Sequence, residues 1–405
     1  MISKDLLNEI IIRQQKDLLL PVGIPRKKEI KPLKKFALII TGLRRCGKST
    51  LLRQFLHTKK PIYYLHFEDL LLSSFEKIDF TKLDEVFQNT LGQEGIYFLD
   101  EVQNVDGWEI YVRSLVDSGK EVYVTGSNSS LMSKELGTRL TGRHISEELY
   151  PFSFSEYCLA NNKKESMEML DEYLIDGGMP EYIFQKDVRI LESLVKDVIY
   201  KDVLVRHRIR EEAIVERLVS YILSNTGKEI SYNKIKDMMG VGSPNTIISL
   251  MDALEDAYFI FTINIFDYSL KKQLRNMRKV YCVDNGFITQ TSFQFSKNIG
   301  RLLENLVFIE LKRKGFEIYF YKEKNECDFI IKKKNFSAIQ VCYELNTDNQ
   351  KREISGLIDG MKKTGIKKGS IITHHQEDSF EKDGMIIEVI PVIKWMKRLR
   401  TKIML

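Results

Sequence analysis

Cysteine is scarce and unpaired. Cys46, Cys158, Cys282, Cys327 and Cys342 are scattered along the chain, with no two at metal-ligand spacing. That distribution excludes a disulfide framework and a structural zinc site, and it points to a reducing compartment. His374 and His375 are adjacent, but no third ligand lies near them, so they read as surface residues. No apolar run approaches the roughly 20 residues that a membrane span requires, so no membrane partner is expected. Neither sign of charge dominates: 62 basic against 56 acidic side chains leave a net +6. This permits a nucleic-acid or acidic partner without demanding one. Basic clusters at 28–35, 330–335 and 394–402 are of the kind that usually forms a solvated face. The N-terminal MISKDLLNEIIIRQQKDLLL mixes charged with apolar residues and reads as an amphipathic helix, not a cleavable signal. The chain is therefore expected in the cytoplasm. What is present is a globular composition, 43% hydrophobic and 29% charged, over 405 residues. That length exceeds one usual core and predicts two to four domains.

The most informative stretch is TGLRRCGKSTLLRQFL (41–56). FALII (36–40) has the short apolar run of a buried parallel strand, and LLRQFL (51–56) places Leu51, Leu52 and Phe55 on one side of a helix. Between them Gly42, Leu43, Arg44, Arg45, Cys46, Gly47, Lys48 and Ser49 spell G-x-x-x-x-G-K-[ST], a phosphate loop in the context it needs. Gly42 and Gly47 let the backbone bend so that its amides point inward, and the helix from Lys48 through Thr50 turns its positive end to the phosphates. Lys48 supplies charge to the outer phosphates, and the Ser49 hydroxyl suits magnesium. ATP and Mg2+ are thus the expected cofactors. Such a loop requires an apolar strand ending in a carboxylate, and IYFLDE (96–101) provides it. Asp100 is placed to hold magnesium through water, and Glu101 to act as general base toward the attacking water. EVYVTGSNSS (121–130) is another buried strand, with Ser127 or Asn128 where a polar group would sense the outer phosphate. RHISEEL (143–149) reads as a fifth strand, after a helix over 130–143 that carries Arg139 and Arg143 near its end.

With GLRRCGKST, YFLDEVQ, TGSNSSLM, LTGR, LYPFSFSEY, GGMPEY, VDNG and ECDFII in place, the chain resembles the AAA+ ATPases of the bacterial and archaeal family with a C-terminal DUF4143 region. The first four motifs are far more selective than the others. The resemblance runs from about Phe36 to the last strands. It implies that Arg143 or Arg139 reaches the nucleotide of a neighbouring subunit in a homo-oligomer; the alternative is a salt bridge within the subunit. It also implies that Pro180, in GGMPEY (177–182), packs against the adenine from a lid, the alternative being an ordinary loop.

Beyond the lid, 196–225 is helical by its apolar spacing. SYNKIKDMMGVGSPNTIISLMDALEDAYFIFTIN (231–264) has the helix, turn, helix and β return of a winged helix-turn-helix. Ile247, Met251, Leu254 and Tyr258 face a core, leaving Asn245, Thr246, Ser249, Asp252 and Glu255 toward solvent. With no lysine or arginine on that face, direct base reading is disfavoured and a structural or oligomerisation role preferred. From about Lys279 the order strand, helix, three strands resembles a restriction-endonuclease-like fold. Glu304 and Asp328 match two of its metal-binding positions, but the third element reads Gln340-Val341-Cys342 and lacks both the acid and the lysine. Lys322 or Lys324 are the available stand-ins, and nuclease activity is not expected.

The expected fold is α/β: a P-loop AAA+ parallel-sheet core with a helical lid, a winged helix-turn-helix and a C-terminal restriction-endonuclease-like α/β domain. The expected divisions are an N-terminal helical segment (1–30), the ATPase core (31–155), the lid (156–208), the winged module (209–270) and a degenerate DUF4143-like domain (271–405). Three functions compete. The first is an oligomeric ATPase coupling turnover to a change of shape on nucleic acid, DNA being the possible case, or on a protein partner. The second is a slow nucleotide-gated switch, and the third an ATPase-linked metal-dependent nuclease.

Overall fold

The computed structural model describes residues 1–56, 60–129, 142–275, 277–291 and 298–401. The helix expected over 130–143, with Arg139, lies outside the described residues except for its last two positions. The chain forms two compact units: Met1–Tyr150 with Asp256–Tyr258, and Pro151–Glu255 with Phe259–Leu405. Among the described residues no helix is long and apolar enough to cross a membrane. All five cysteines are buried, and none forms a disulfide.

The first unit begins with α1 (Lys4–Leu18), which the Ser3 hydroxyl caps by accepting from the Leu6 amide. This helix buries Leu7, Ile10 and Ile11, the apolar face its sequence pattern predicts. The sheet strands are β1 (Ala37–Thr41), β2 (Ile62–His66), β3 (Ile96–Asp100), β4 (Val122–Gly126) and β5 (His144–Glu148), in the order β2-β3-β4-β1-β5. Every pairing is parallel. β1, β3 and β4 are buried at every residue, as continuous apolar strands covered on both faces must be. The edge strand β5 is half-exposed throughout and accordingly reads HISEE. Helices α2 (Lys48–Phe55), α3 (Phe80–Leu91) and α4 (Trp108–Asp117) complete the layers. Leu51 and Leu52 of α2 are buried, but Phe55 is 36% exposed and packs only its ring against Tyr123. Thr41 stands opposite Gly126 and Asp100 opposite His66, so the C-terminal ends of the strands line up along one edge of the sheet. Parallel α/β sheets bind their ligands at that edge.

The second unit opens with α5 (Phe154–Ala160), α6 (Met167–Asp176), α7 (Pro180–Gln185) and α8 (Val188–Asp197). The segment expected as one helix over 196–225 is broken. It continues α8 as a π-helix over Val198–Val205, turns through Arg208 at φ 55°, and restarts as α9 (Glu212–Ser224). The π-helical run buries Val198, Ile199, Asp202, Val203 and Leu204, and the Ile209 amide closes on the Leu204 carbonyl at 2.9 Å.

The chain proceeds through β6 (Glu229–Ile230), α10 (Tyr232–Met239), α11 (Pro244–Asp256), β7 (Ile260–Ile263), α12 (Leu270–Arg275) and β8 (Arg278–Cys282). The three strands form an antiparallel sheet in the order β6-β8-β7. Ile247, Met251 and Leu254 are buried, and Asn245, Thr246, Ser249 and Asp252 are exposed. Glu255 departs from its expected solvent position: its carboxylate accepts the Thr262 amide, and burial raises its pKa.

After α13 (Asn285–Gln290) and α14 (Ile299–Arg313) comes a mixed sheet of β9 (Glu317–Lys322), β10 (Glu326–Lys332), β11 (Phe336–Val341), β12 (Lys368–Thr373), β13 (Asp378–Lys382) and β14 (Met385–Pro391). Its order is β13-β14-β12-β11-β10-β9. α15 (Gln350–Thr364) covers it, with Leu357, Ile358 and Met361 in a common core with Ile330, Ile371 and Ile387. α16 (Val392–Arg400) ends the described chain. His374, expected at the surface, is buried: it stacks on Tyr343 at 4.5 Å and its Nε2 lies 2.7 Å from Asp171. Its place just past β12 turns it inward, while His375 remains exposed.

Candidate nucleotide site

The loop from Gly42 to Ser49 links the end of β1 to α2. Gly42 has φ +148°, and a Cβ there would lie 2.1 Å from the Leu149 carbonyl oxygen, so no other residue fits. Gly47 has φ +98° and precedes α2 with no side-chain cap. The amides of Lys48, Ser49 and Thr50 are therefore the helix's unsatisfied N-terminal donors. Leu43 and Cys46 are fully buried and anchor the loop. Arg45 takes a left-handed conformation (φ 61°), and Arg44 pairs with Glu68 at 2.6 Å. Arg26, in the segment after α1, donates from Nη1 to the Cys46 carbonyl and from Nη2 to the Tyr150 carbonyl, both at 2.7 Å.

Lys48 is buried and folded back on its own loop. Its Nζ donates to the Gly42 carbonyl at 3.1 Å and the Leu43 carbonyl at 3.2 Å, and lies 3.2 Å from Glu101 Oε1. Burial alone would lower the lysine pKa. The charge and hydrogen bond of Glu101, together with the Cys46 and Asp100 interactions, outweigh it, so the pKa is raised and the side chain is an ammonium.

Asp100 ends β3 with 1% exposure. Its Oδ1 accepts the Ser49 hydroxyl at 2.9 Å and the Thr125 hydroxyl, and its Oδ2 accepts Tyr64 at 3.0 Å. Burial pushes its pKa up, but His66 and these hydroxyl donors more than compensate and leave it below the ordinary aspartate value. His66 Nδ1 lies 3.4 Å from Asp100 Oδ2, and that carboxylate raises the imidazole pKa despite burial. Glu101 turns off the strand at φ 53°, its amide donating to Thr125 Oγ1 at 3.0 Å. Its Oε2 accepts the Ser127 amide at 3.1 Å and Gln103 Nε2 at 2.6 Å. Burial raises its pKa, but Lys48 and Gln103 among its neighbours bring it below the ordinary glutamate value.

The strand-end geometry thus gathers Lys48, Ser49, Asp100 and Glu101. Asn128 is buried two residues beyond β4. Arg143 is half-exposed beside β5 and pairs with Asp117 at the end of α4. Pro180 is the first residue of α7 in the second unit. Tyr64, His66, Thr125 and Gln103, which hold the two carboxylates, were not singled out in the sequence. Their signal is faint: His66, Thr125 and Gln103 are polar residues at, near or just past the C-terminal ends of apolar strands, and Tyr64 lies in the middle of one.

A second polar cluster lies within the second unit. Lys279 of β8, with 1% side-chain exposure, has its Nζ 3.2 Å from Glu304 Oε1, 2.6 Å from Glu326 Oε1 and 3.0 Å from Asp328 Oδ1. Tyr281 donates to Glu304 at 2.8 Å. The lysine beside Glu304 and Asp328 is therefore Lys279, whereas Lys322 pairs with Glu229 and Glu326 and Lys324 is exposed. Gln340 donates to Glu353 at 2.7 Å and accepts the Asp328 amide at 3.2 Å, and burial pushes the Cys342 thiol up to about 12. The ammonium fills the space between the carboxylates, so they do not fit a divalent cation. Among the described residues no group of His, Cys, Asp or Glu is arranged to hold a metal.

Family models match three stretches: an AAA domain over 34–158, a domain of unknown function (DUF8612) over 167–297, and a domain of unknown function (DUF4143) over 299–395. An uncharacterized protein of Methanocaldococcus jannaschii is 33% identical over 428 residues, spanning 98% of this chain and 96% of its own. One from Haemophilus influenzae is 31% identical over 390 residues, spanning 89% and 94%. Among solved structures, Cdc6p from Pyrobaculum aerophilum matches 64% of this chain and 91% of its own at 10% identity, with a TM-score of 0.26, a value that carries no argument. On the AAA and DUF4143 matches and the near full-length relatives, the chain belongs to the AAA+ ATPase family with a C-terminal DUF4143 region.

Proposed function

We propose that this chain is a magnesium-dependent ATPase that works as a homo-oligomer and couples ATP turnover to a change of shape on DNA or a protein partner. One observation supports it above the others: the Ser49 hydroxyl and Asp100 carboxylate meet at 2.9 Å beside a buried Lys48–Glu101 pair. A hydroxyl and a carboxylate are hard oxygen donors of the kind magnesium takes alongside phosphate and water. Magnesium, when bound there, supplies neutralisation of charge on the outer phosphates. The loop amides and the start of α2 hold the phosphates, and Lys48 leaves the Gly42 and Leu43 carbonyls to pair with them. That movement frees Glu101 from its ammonium, and the carboxylate then takes a proton from the attacking water. Asn128 senses the outer phosphate.

The function is tested first at Lys48. Lys48→Ala is expected to weaken ATP binding about 30-fold or more, the effect of deleting a charge-assisted contact. Fluorescent-nucleotide titration reads it, and wild-type affinity in the variant would contradict the loop assignment.

Arg143, or Arg139, serves a neighbouring subunit's nucleotide in this reading. Arg143→Ala should then cut turnover at least about tenfold at unchanged ATP affinity, while Asp117→Ala should not lower it. Equal effects from both changes would leave Arg143 as a salt bridge only.

The lid reading gives α5–α8 with Pro180 the adenine side. The order α9, β6, α10, α11, β7, β8 and the β6-β8-β7 sheet support a winged helix-turn-helix. The mixed sheet with α14 and α15 supports a restriction-endonuclease-like domain whose centre, filled by Lys279, does not cut. The Lys48–Glu101 pair also favours a second reading, a slow nucleotide-gated switch. Turnover measured with and without DNA separates the two, since stimulation marks the coupled ATPase and slow, unaffected turnover the switch.

A further inference from the structure

The first unit contains three residues far from the rest of it in sequence, Asp256–Tyr258. Tyr258 is 2% exposed and has φ +59°, a conformation that an aromatic L residue adopts only where its surroundings impose it. Its hydroxyl lies 2.7 Å from Thr41 Oγ1. Thr41 is fully buried, ends β1 and directly precedes Gly42, whose carbonyl receives Lys48. Two residues earlier, Asp256 Oδ1 accepts the Ser129 hydroxyl at 2.6 Å. Ser129 directly follows Asn128, just past β4, and β4 is the sheet neighbour of β1. Both contacts therefore land on the ends of the two adjacent strands that carry the phosphate loop and the expected phosphate sensor. Burial of a tyrosine requires only that its hydroxyl be satisfied. Nothing in that requirement selects these two strand ends.

We propose that Asp256–Tyr258 is a positioning element of the nucleotide site, with Tyr258 setting the phosphate loop through Thr41 and Asp256 setting the Asn128 segment through Ser129. The proposal rests on the nucleotide reading of the loop. By linkage, the free energy that couples Tyr258 to the loop acts equally on both.

Tyr258→Phe keeps the ring and removes the hydroxyl. It is expected to lower kcat about five- to tenfold with the KM for ATP within about twofold, the loss expected for one hydrogen bond expressed in the transition state. The melting temperature should stay near the wild-type value. Without nucleotide, amide exchange over 41–49 should quicken. Thr41→Val reads the same bond from its other end, and the double variant should be no worse than either single change. Wild-type kcat and exchange in Tyr258→Phe, additive effects in the double variant, or a kcat loss that merely follows a lost melting temperature would each overturn the proposal. Should wild-type protein bind no ATP, the functional reading falls, while the exchange measurement still decides whether Tyr258 sets the loop.

Discussion

Glu101→Gln is expected to retain ATP and to hydrolyse it at least about a hundredfold more slowly, the contribution of a positioned general base. Glutamine keeps the shape and one carbonyl oxygen that can still accept the Ser127 amide, so the turn at φ 53° has no reason to move. What is lost is the charge. In the wild type that carboxylate lies 3.2 Å from Lys48 Nζ, and Lys48 must leave it to meet the phosphates. Removing this competitor should hold ATP affinity at or somewhat above wild type. Single-turnover hydrolysis with a parallel binding titration separates the two effects. Equal hydrolysis by the variant and the wild type would remove Glu101 from the role of base.

The second large effect is one of stability, at Lys279. Its ammonium is surrounded by Glu304, Glu326 and Asp328, and its pKa is raised because their charges outweigh burial. Burial, followed by the Glu304 charge, raises the Asp328 pKa to about 7 even with the lysine in place. Lys279→Met fills the volume but leaves the carboxylates buried without a cation, and the expected loss is roughly 3–5 kcal/mol. The sign of its pH dependence follows. The Asp328 carboxyl has a folded-state pKa above its unfolded one, and losing the cation raises it further, so the folded variant binds more protons and its stability falls as pH rises. The deficit against wild type should be small near about pH 5 and large near about pH 8. Urea unfolding at both pH values reads it. A variant as stable as wild type at the higher pH, or a deficit that ignores pH, would contradict the ion-pair account.

What was legible in the sequence was what lies contiguous in it. The phosphate loop occupies eight consecutive residues between an apolar strand and a helix, and Asp100–Glu101 end an apolar run, so local pattern was enough to find them. The residues that hold those groups come from elsewhere. Tyr64 and His66 sit on β2 and Thr125 on β4, and they meet Asp100 only because the sheet orders its strands β2-β3-β4-β1-β5. Tyr258 reaches Thr41 across 217 residues of chain, a separation at which no spacing rule operates.

Lys279 did leave a signal. It shares the face of β8 with Tyr281, two residues on, so an inward Tyr281 implies an inward lysine that needs acidic partners. The errors arose where one local property had to stand in for packing. Apolar spacing over 196–225 suggested one helix where the backbone forms a π-helix and a break. Glu255 was given to solvent by helical spacing and His374 to the surface for want of a third ligand nearby, whereas the Thr262 amide and the Tyr343 ring hold them in the fold.

The central claim is that an adenine nucleotide with magnesium is held between the Gly42–Thr50 loop and the Asp100–Glu101 pair. Calorimetric titration of ATP with magnesium into folded protein tests it most directly, run at two temperatures so that a vanishing enthalpy cannot hide binding. The account predicts saturable binding near one nucleotide per chain, weakened at least about 30-fold in Lys48→Ala. Absence of heat at both temperatures, or equal binding by wild type and Lys48→Ala, would contradict it.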